Sequence, residues 1–346
     1  MRQLIWFELK KIFSRKIILA ALVVLAGLNI ISFVGEFPAE ETAYEQEIAR
    51  KYEGVLDDEK VQQMLRDFLP SQEQINMWKG VHVMYIGQNS IQTAVHAYFA
   101  KEDGTWNGKT VRDVFGDQEI RVGYNSGWLD FSRLLAKMML GAAIFCVLMV
   151  SPVFAGEYAG MEQLLLAARF GKTKCVMAKI TAAFLASLAV VLAVLTGNFT
   201  GAFLAMGTEG LQASTRFCGV YYQEWMPFPI SCQEMLIWQT ILAVSGILML
   251  TGITLAVSAA AKNQTTSLIA AAFLFAFPLF MTMPESAPLF KILGLLPAYQ
   301  LQFALLMGIG QMGDLFYAAL GVPAAAAAAV GGSLLAGSIW RKREVS

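Results

Sequence analysis

Six long apolar runs, separated by polar and charged segments, dominate the chain. They are Ile17–Val34, Met138–Ala155, Ile180–Met206, Leu236–Ala261, Thr265–Met283 and Leu315–Trp340, and none holds a charged side chain. A hydrocarbon core about 30 Å thick is crossed by about 20 apolar residues of helix. The pattern therefore predicts an all-α integral membrane protein with six transmembrane helices. A Lys or Arg at mid-helix would cost about 2.5–3.5 kcal/mol on insertion, so clean runs insert readily. Arg133 and Lys137 fall just before the second run, where long side chains can snorkel to the headgroups. The first run follows a basic flank of Lys10, Lys11, Arg15 and Lys16, as a signal peptide would. Its apolar stretch exceeds the usual ~7–15 residues and no A-x-A site follows, so it reads as an uncleaved anchor.

The polar segments have their own patterns. Residues 1–16 place Leu4, Ile5, Leu9 and Ile12 among Glu8, Lys10, Lys11 and Arg15, which suits a helix lying in the membrane interface. Residues 35–130 form a long acidic insertion, expected to be a mostly helical extracellular domain. Helical spacing of apolar residues over Glu40–Leu69 predicts one helix, ended by Pro70 and Ser71, with a second over about Gln72–Ala100. Gly104, Asn107 and Gly108 mark turns beyond it. Such a domain is either a rigid cap on the membrane part or a receptor for a substrate or partner. In the loop 156–179, Met161–Arg169 predicts a short amphipathic helix with Leu164, Leu165 and Leu166 bunched together, opened by Gly160 and closed by Gly171. Segment Gly207–Met235 carries Cys218 and Cys232, a candidate disulfide pair in an oxidising compartment. Segment Pro284–Asp314 is apolar and broken by Pro284, Pro288 and Pro297. It reads as interfacial or partly re-entrant, and a re-entrant piece must be buried in protein to satisfy its backbone.

Composition agrees with lipid as the solvent. The 346 residues are 56% hydrophobic and 15% charged, too dry for a soluble domain. The net charge is zero, but its distribution sets the orientation. With the N-terminus in the cytoplasm, the inside segments hold thirteen basic residues, among them Lys10, Lys11, Lys172, Lys174, Lys179 and Arg341, against four acids: Glu8, Glu157, Glu162 and Glu344. This is the positive-inside arrangement, with both ends cytoplasmic and the cell membrane as the location.

The charge gives no basic excess for nucleic acid. Two histidines, His82 and His96, and four cysteines without a C-x-x-C pair offer no metal site. Phe170-Gly171-Lys172-Thr173 lacks the earlier glycine of a phosphate-binding loop, because Leu166 occupies that position. Nucleophile-elbow, zincin and dinucleotide fingerprints are also absent, so no catalytic or cofactor-binding residues are expected. Ion-coupled carriers keep charges at membrane depth, whereas the spans here hold uncharged polar residues such as Asn29, Thr196, Asn198, Thr251, Thr254 and Ser258. These are expected to hydrogen-bond between helices. If the protein transports, its energy comes from a separate ATPase.

Two motifs and the overall layout resemble the permease subunits of type-2 ABC exporters, particularly those with a large insertion after the first span. One motif is the amphipathic start Glu8-Leu9-Lys10-Lys11-Ile12-Phe13-Ser14-Arg15-Lys16, similar to the family's connecting helix. The other is Glu157, Gly160, Leu164–Leu166, Arg169 and Lys179, which resembles the loop that docks into the ATPase in relatives. Phe170-Gly171 departs from the Ser-Arg pair that many relatives carry. The resemblance implies a partner P-loop ATPase and a second permease subunit, identical or homologous. It also implies an ATPase-coupling role for Glu157, Gly160, Glu162, Leu164, Leu165, Leu166, Arg169, Lys172 and Lys179, with Lys172 and Lys174 meeting the ATPase or anionic lipid. Another transporter or channel, and a membrane-anchored sensor or assembly protein acting through residues 35–130, are the competing readings.

Overall fold

The computed structural model describes residues 1–69, 89–101, 103–157, 171–218, 230–280, 292–302 and 315–342. They form an all-α multi-pass membrane protein. Five helical stretches are long and apolar enough to cross a bilayer: Lys16–Glu36, Ser126–Ala155, Gly171–Met206, Cys232–Ala260 and Ala318–Arg341. The sixth expected span corresponds to a shorter apolar helix, Gln264–Phe280. Its 17 residues reach about 25 Å, short of a ~30 Å core, and residues 281–283 lie outside the described set.

The helices are α1 (Arg2–Phe13), α2 (Lys16–Glu36), α3 (Ala39–Lys51), α4 (Asp58–Asp67), α5 (Ser90–Phe99), α6 (Val111–Phe115), α7 (Ser126–Val150), α8 (Pro152–Ala155), α9 (Val176–Met206), α10 (Cys232–Ala260), α11 (Gln264–Ala276), α12 (Pro297–Gln300) and α13 (Leu315–Arg341). A two-residue antiparallel pair joins β1 (Gly54–Val55) to β2 (Arg121–Val122).

Two boundaries differ from the sequence expectation. Helix α7 starts twelve residues before Met138. Asp130, Arg133 and Lys137 interrupt the apolar run, but they stay at the protein surface while Trp128, Phe131 and Leu135 of the same helix are buried. Asp130 and Arg133 pair one turn apart. In the insertion, the single helix expected over Glu40–Leu69 is two, α3 and α4. Gly54 has a φ of +114°, a conformation that favours glycine, and the Asp57 side chain accepts from the Lys60 amide at 2.7 Å to open α4.

Helix α10 is the centre of the membrane part and packs on α7, α9, α11, α12 and α13. Its closest partner is α13. A Cβ on Gly252 would lie 2.6 Å from the Ala329 Cα, and one on Gly332 would lie 2.3 Å from the Gly252 carbonyl oxygen. Only glycine lets these backbones touch, the small-residue packing that dispersion favours in lipid. Polar side chains add specific links. Thr251 Oγ1 donates to Ser187 Oγ or to Ile247 O, and Ser258 and Ser267 each donate to the Ser151 carbonyl at 2.6 and 2.7 Å. Ser258 Oγ also accepts from the amides of Phe154 and Ala155. Pro152 breaks the chain's helix there, and Ser258 supplies partners the broken ladder lacks.

The segment 292–302 re-enters the protein, as its buried proline-led helix α12 shows. Gln300 is fully buried. Its Nε2 donates to the carbonyls of Leu295 and Gly321, and its Oε1 accepts from Ser245 Oγ at 3.3 Å. Ser245 lies thirteen residues into α10, about 20 Å along it, so Gln300 sits near mid-span.

At the opposite end from α1, helices α3–α6 bury Tyr52, Met64, Val95, Phe99 and Phe115 in a small core. This domain is fastened to residues 206–217. Gln46 Nε2 donates to Met206 O at 2.7 Å, Trp128 Nε1 to Glu209 O at 2.6 Å, and Asn125 Nδ2 to Ser214 O and Phe217 O. Tyr98 Oη donates to Arg216 O at 2.6 Å, and Arg50 pairs with Glu209. Gly210, at φ +75°, lies so close to the Tyr124 carbonyl that a Cβ would overlap it.

Candidate functional site

Helix α1 has two faces. Trp6 is 70% exposed and Phe7 60%. The other face carries Glu8 and Ile12, both buried, with Ile5 and Leu9 packed against the core. Glu8, Lys11 and Ile12 recur at three- and four-residue steps, so one stripe presents an acid, a base and an apolar contact, and Arg15 follows just beyond the helix end.

This stripe meets two other elements. Lys179 is one turn into α9, beyond a π-helical turn at Gly171–Cys175. Glu157 follows α8, after Gly156. Lys179 is 1% exposed and Glu157 2%. Lys179 Nζ donates to Glu8 Oε1 at 3.0 Å and Oε2 at 3.1 Å, and to Glu157 Oε1 at 2.9 Å. Lys11 Nζ pairs with Glu157 Oε1 from the other side. Two ammonium groups and two carboxylates thus form a neutral, mostly buried network linking α1, the end of α8 and the start of α9. The three contacts of Lys179 match its three N–H donors.

The network holds its charges against burial. Burial alone would push the Glu157 carboxyl up, but Lys179 and Lys11 outweigh it and hold Glu157 below the ordinary carboxylate range. Arg15 stands beside it, with Nη2 3.6 Å from where a Cβ on Gly156 would be. Burial lowers the Arg15 guanidinium while Glu157 and Glu8 oppose that shift. Among the described residues, buried Nη1 of Arg15 has no hydrogen-bond partner.

Of the residues singled out from the sequence, Glu157 and Lys179 are brought into direct contact. Lys172 lies on the π-helical turn, outside the four-residue network. Gly160, Glu162, Leu164, Leu165, Leu166 and Arg169 fall outside the described residues, as does the helix expected over Met161–Arg169. Gly171 begins the π-helical turn. Cys218 and Cys232, the candidate disulfide pair, are both buried and both free thiols. Burial pushes the Cys218 thiol up to about 12. His96 is buried in the domain built from α3–α6, and His82 lies outside the described residues.

Glu8 and Lys11 were visible only as part of the amphipathic start, although they complete the site. The signal was present: Glu8 is the one acid in a basic helix and shares a face with Ile5 and Ile12. Chemically the arrangement joins elements. Among the described residues no group of three or more His, Cys, Asp and Glu side chains could hold a metal. The four charges of the network, on Glu8, Lys11, Glu157 and Lys179, are each matched by a partner, as buried ions require. The sequence matches no family model, and neither a curated protein nor a solved structure is significantly similar to it.

Proposed function

We propose that the chain is the permease subunit of an ATP-binding cassette exporter of the type-2 class, working with a separate P-loop ATPase and a second permease subunit, identical or homologous. The observation that carries this reading is the contact of Lys179 with both Glu8 and Glu157. It ties the interfacial helix α1 to both ends of the 156–179 loop. A push on that loop would reach α1 and α9 as one body, which is what a permease needs to turn ATPase closure into movement of its spans. Apolar runs without charged residues, from Ile17–Val34 to Leu315–Trp340, fit an energy source outside the chain. The basic segments support an α1 face turned to the cytoplasmic side of the cell membrane, where Lys172 and Lys174 would meet the ATPase or anionic lipid. The outer domain, fastened to residues 206–217, acts as a rigid cap.

The test is gentle purification of the tagged protein from its native membrane. A soluble P-loop ATPase is expected to copurify, and to be lost when Leu164, Leu165 and Leu166 are changed to Asp with membrane insertion retained. Partners held through residues 35–130, with no ATPase present, would favour a sensor or assembly protein instead.

A further inference from the structure

A cavity of about 410 Å³ opens between α9 and α13, floored by α10. Phe184 of α9, Ser245 and Leu248 of α10, and Val330 and Ser333 of α13 line it, and among the described residues Arg341 is the one charged residue on its wall. The two serines are already satisfied: Ser333 Oγ donates to Ala329 O at 2.7 Å, and Ser245 Oγ donates to Leu242 O or Gln300 Oε1. The walls therefore ask nothing of an occupant but hydrocarbon. At the mouth the Arg341 side chain folds back over Gly337, its Nη2 3.4 Å from where a Cβ would stand, beside Val176 of α9. The π-helical turn bearing Lys172 and Lys174 packs against the same end of α13, and Lys342 follows Arg341. From Arg341 to Val330 the α13 wall rises about 16 Å, one leaflet of a ~30 Å core. The volume falls within the roughly 300–1,000 Å³ of small-ligand sites.

We infer that this groove holds one acyl chain of an anionic phospholipid from the leaflet facing α1, with its phosphate on Arg341. The charge complementarity selects the headgroup: a basic mouth with no acid on its walls among the described residues attracts an anion, and each such cation near a membrane surface contributes about 1 kcal/mol. The inference requires only that the helices span a bilayer and does not depend on the exporter reading.

The full-length protein would be exchanged into nanodiscs containing equal phosphatidylglycerol and phosphatidylcholine, released into mild detergent, and its retained lipids counted by native mass spectrometry. Wild type is expected to keep phosphatidylglycerol preferentially. Arg341→Gln is expected to lower that preference about fivefold, the equivalent of about 1 kcal/mol. Ala326→Phe, which projects a ring into the groove from an exposed position, is expected to remove the retained lipid of either kind while Tm stays near wild type. Retention unchanged in both variants overturns the inference. So does equal retention of the two lipids by wild type, or a disulfide-linked homodimer formed efficiently by Ala326→Cys, which would assign the groove to a second copy of the chain.

Discussion

Lys179 donates to both carboxylate oxygens of Glu8, at 3.0 and 3.1 Å, across 171 residues of sequence. One residue of this pair is on the short amphipathic helix α1, the other on α9, one of the helices long and apolar enough to cross a membrane. A buried ion pair is a weak source of net stability, because desolvation offsets the attraction. Its stronger effect is to specify one arrangement: any position of α1 that separates Glu8 from Lys179 leaves a charge buried without a partner.

Removal of the shared cation is therefore expected to cost far more than removal of a surface charge. Lys179→Met leaves Glu8 buried beside Glu157 with no cation of its own, and Glu157 with Lys11 alone. A loss of about 3–5 kcal/mol is expected, read as a drop in Tm of the purified protein. Lys179→Met with Glu8→Gln should recover part of it, because the double change removes the carboxylate left without a cation while Glu157 keeps Lys11.

Acid should leave this network intact longer than a free carboxylate would suggest. Glu157 titrates below its ordinary value of 4.5. A lowered folded-state value contributes stability above the unfolded value, and that contribution is lost as pH falls through the folded one. The Glu157 contribution should hold to about pH 4.5 and fade only below it. Glu157→Gln should remove that part of the acid limb in a pH series of unfolding.

The outer domain should respond at milder acidity. Burial pushes His96 down from 6.5 to about 4. The unfolded chain thus takes up a proton at a pH where the folded one does not, and stability falls as pH drops from about 6.5 to about 4. The full effect is about 3 kcal/mol. His96→Phe should flatten this interval and leave the Glu157 limb below it unchanged.

The α10–α13 contact should tolerate no side chain. Gly332→Leu drives carbon into the Gly252 carbonyl, and helix separation is expected to exceed the ~1–3 kcal/mol of ordinary overpacking. The measurement is Tm together with the yield of monodisperse protein. Gly331→Ala, one position away with open space around it, is the matched control and should change little.

Much of this architecture is legible in the sequence because bilayer physics is coarse. A run of 18 or more apolar residues has few alternatives to a spanning helix, so Ile17–Val34 and Ile180–Met206 match α2 and most of α9. Interruptions by charge are harder to read. Asp130, Arg133 and Lys137 look like a boundary in one dimension, yet they cover only the exposed side of α7. Gly54 and Asp57 were a stop and a start signal inside what periodicity made one helix. The Gly252–Gly332 contact depends on which faces meet, and single-chain periodicity carries no such information. The site was half legible: Glu157 and Lys179 stood out at the two ends of a loop, whereas Glu8 becomes significant only once α1 is laid against α9.

The most direct measurement is a charge exchange between α1 and α9, with Glu8→Lys and Lys179→Glu made singly and together. Each protein would be assayed for copurification of the P-loop ATPase and for the spread of spin-label distances between Phe7→Cys on α1 and Lys174→Cys on the π-helical turn. If the buried pair fixes α1 for coupling, each single change broadens the distances and loses the ATPase, and the double change, which renews the α1–α9 pair but sets an acid against Glu157, recovers both in part. Narrow distances and an undiminished ATPase in the single variants would contradict it.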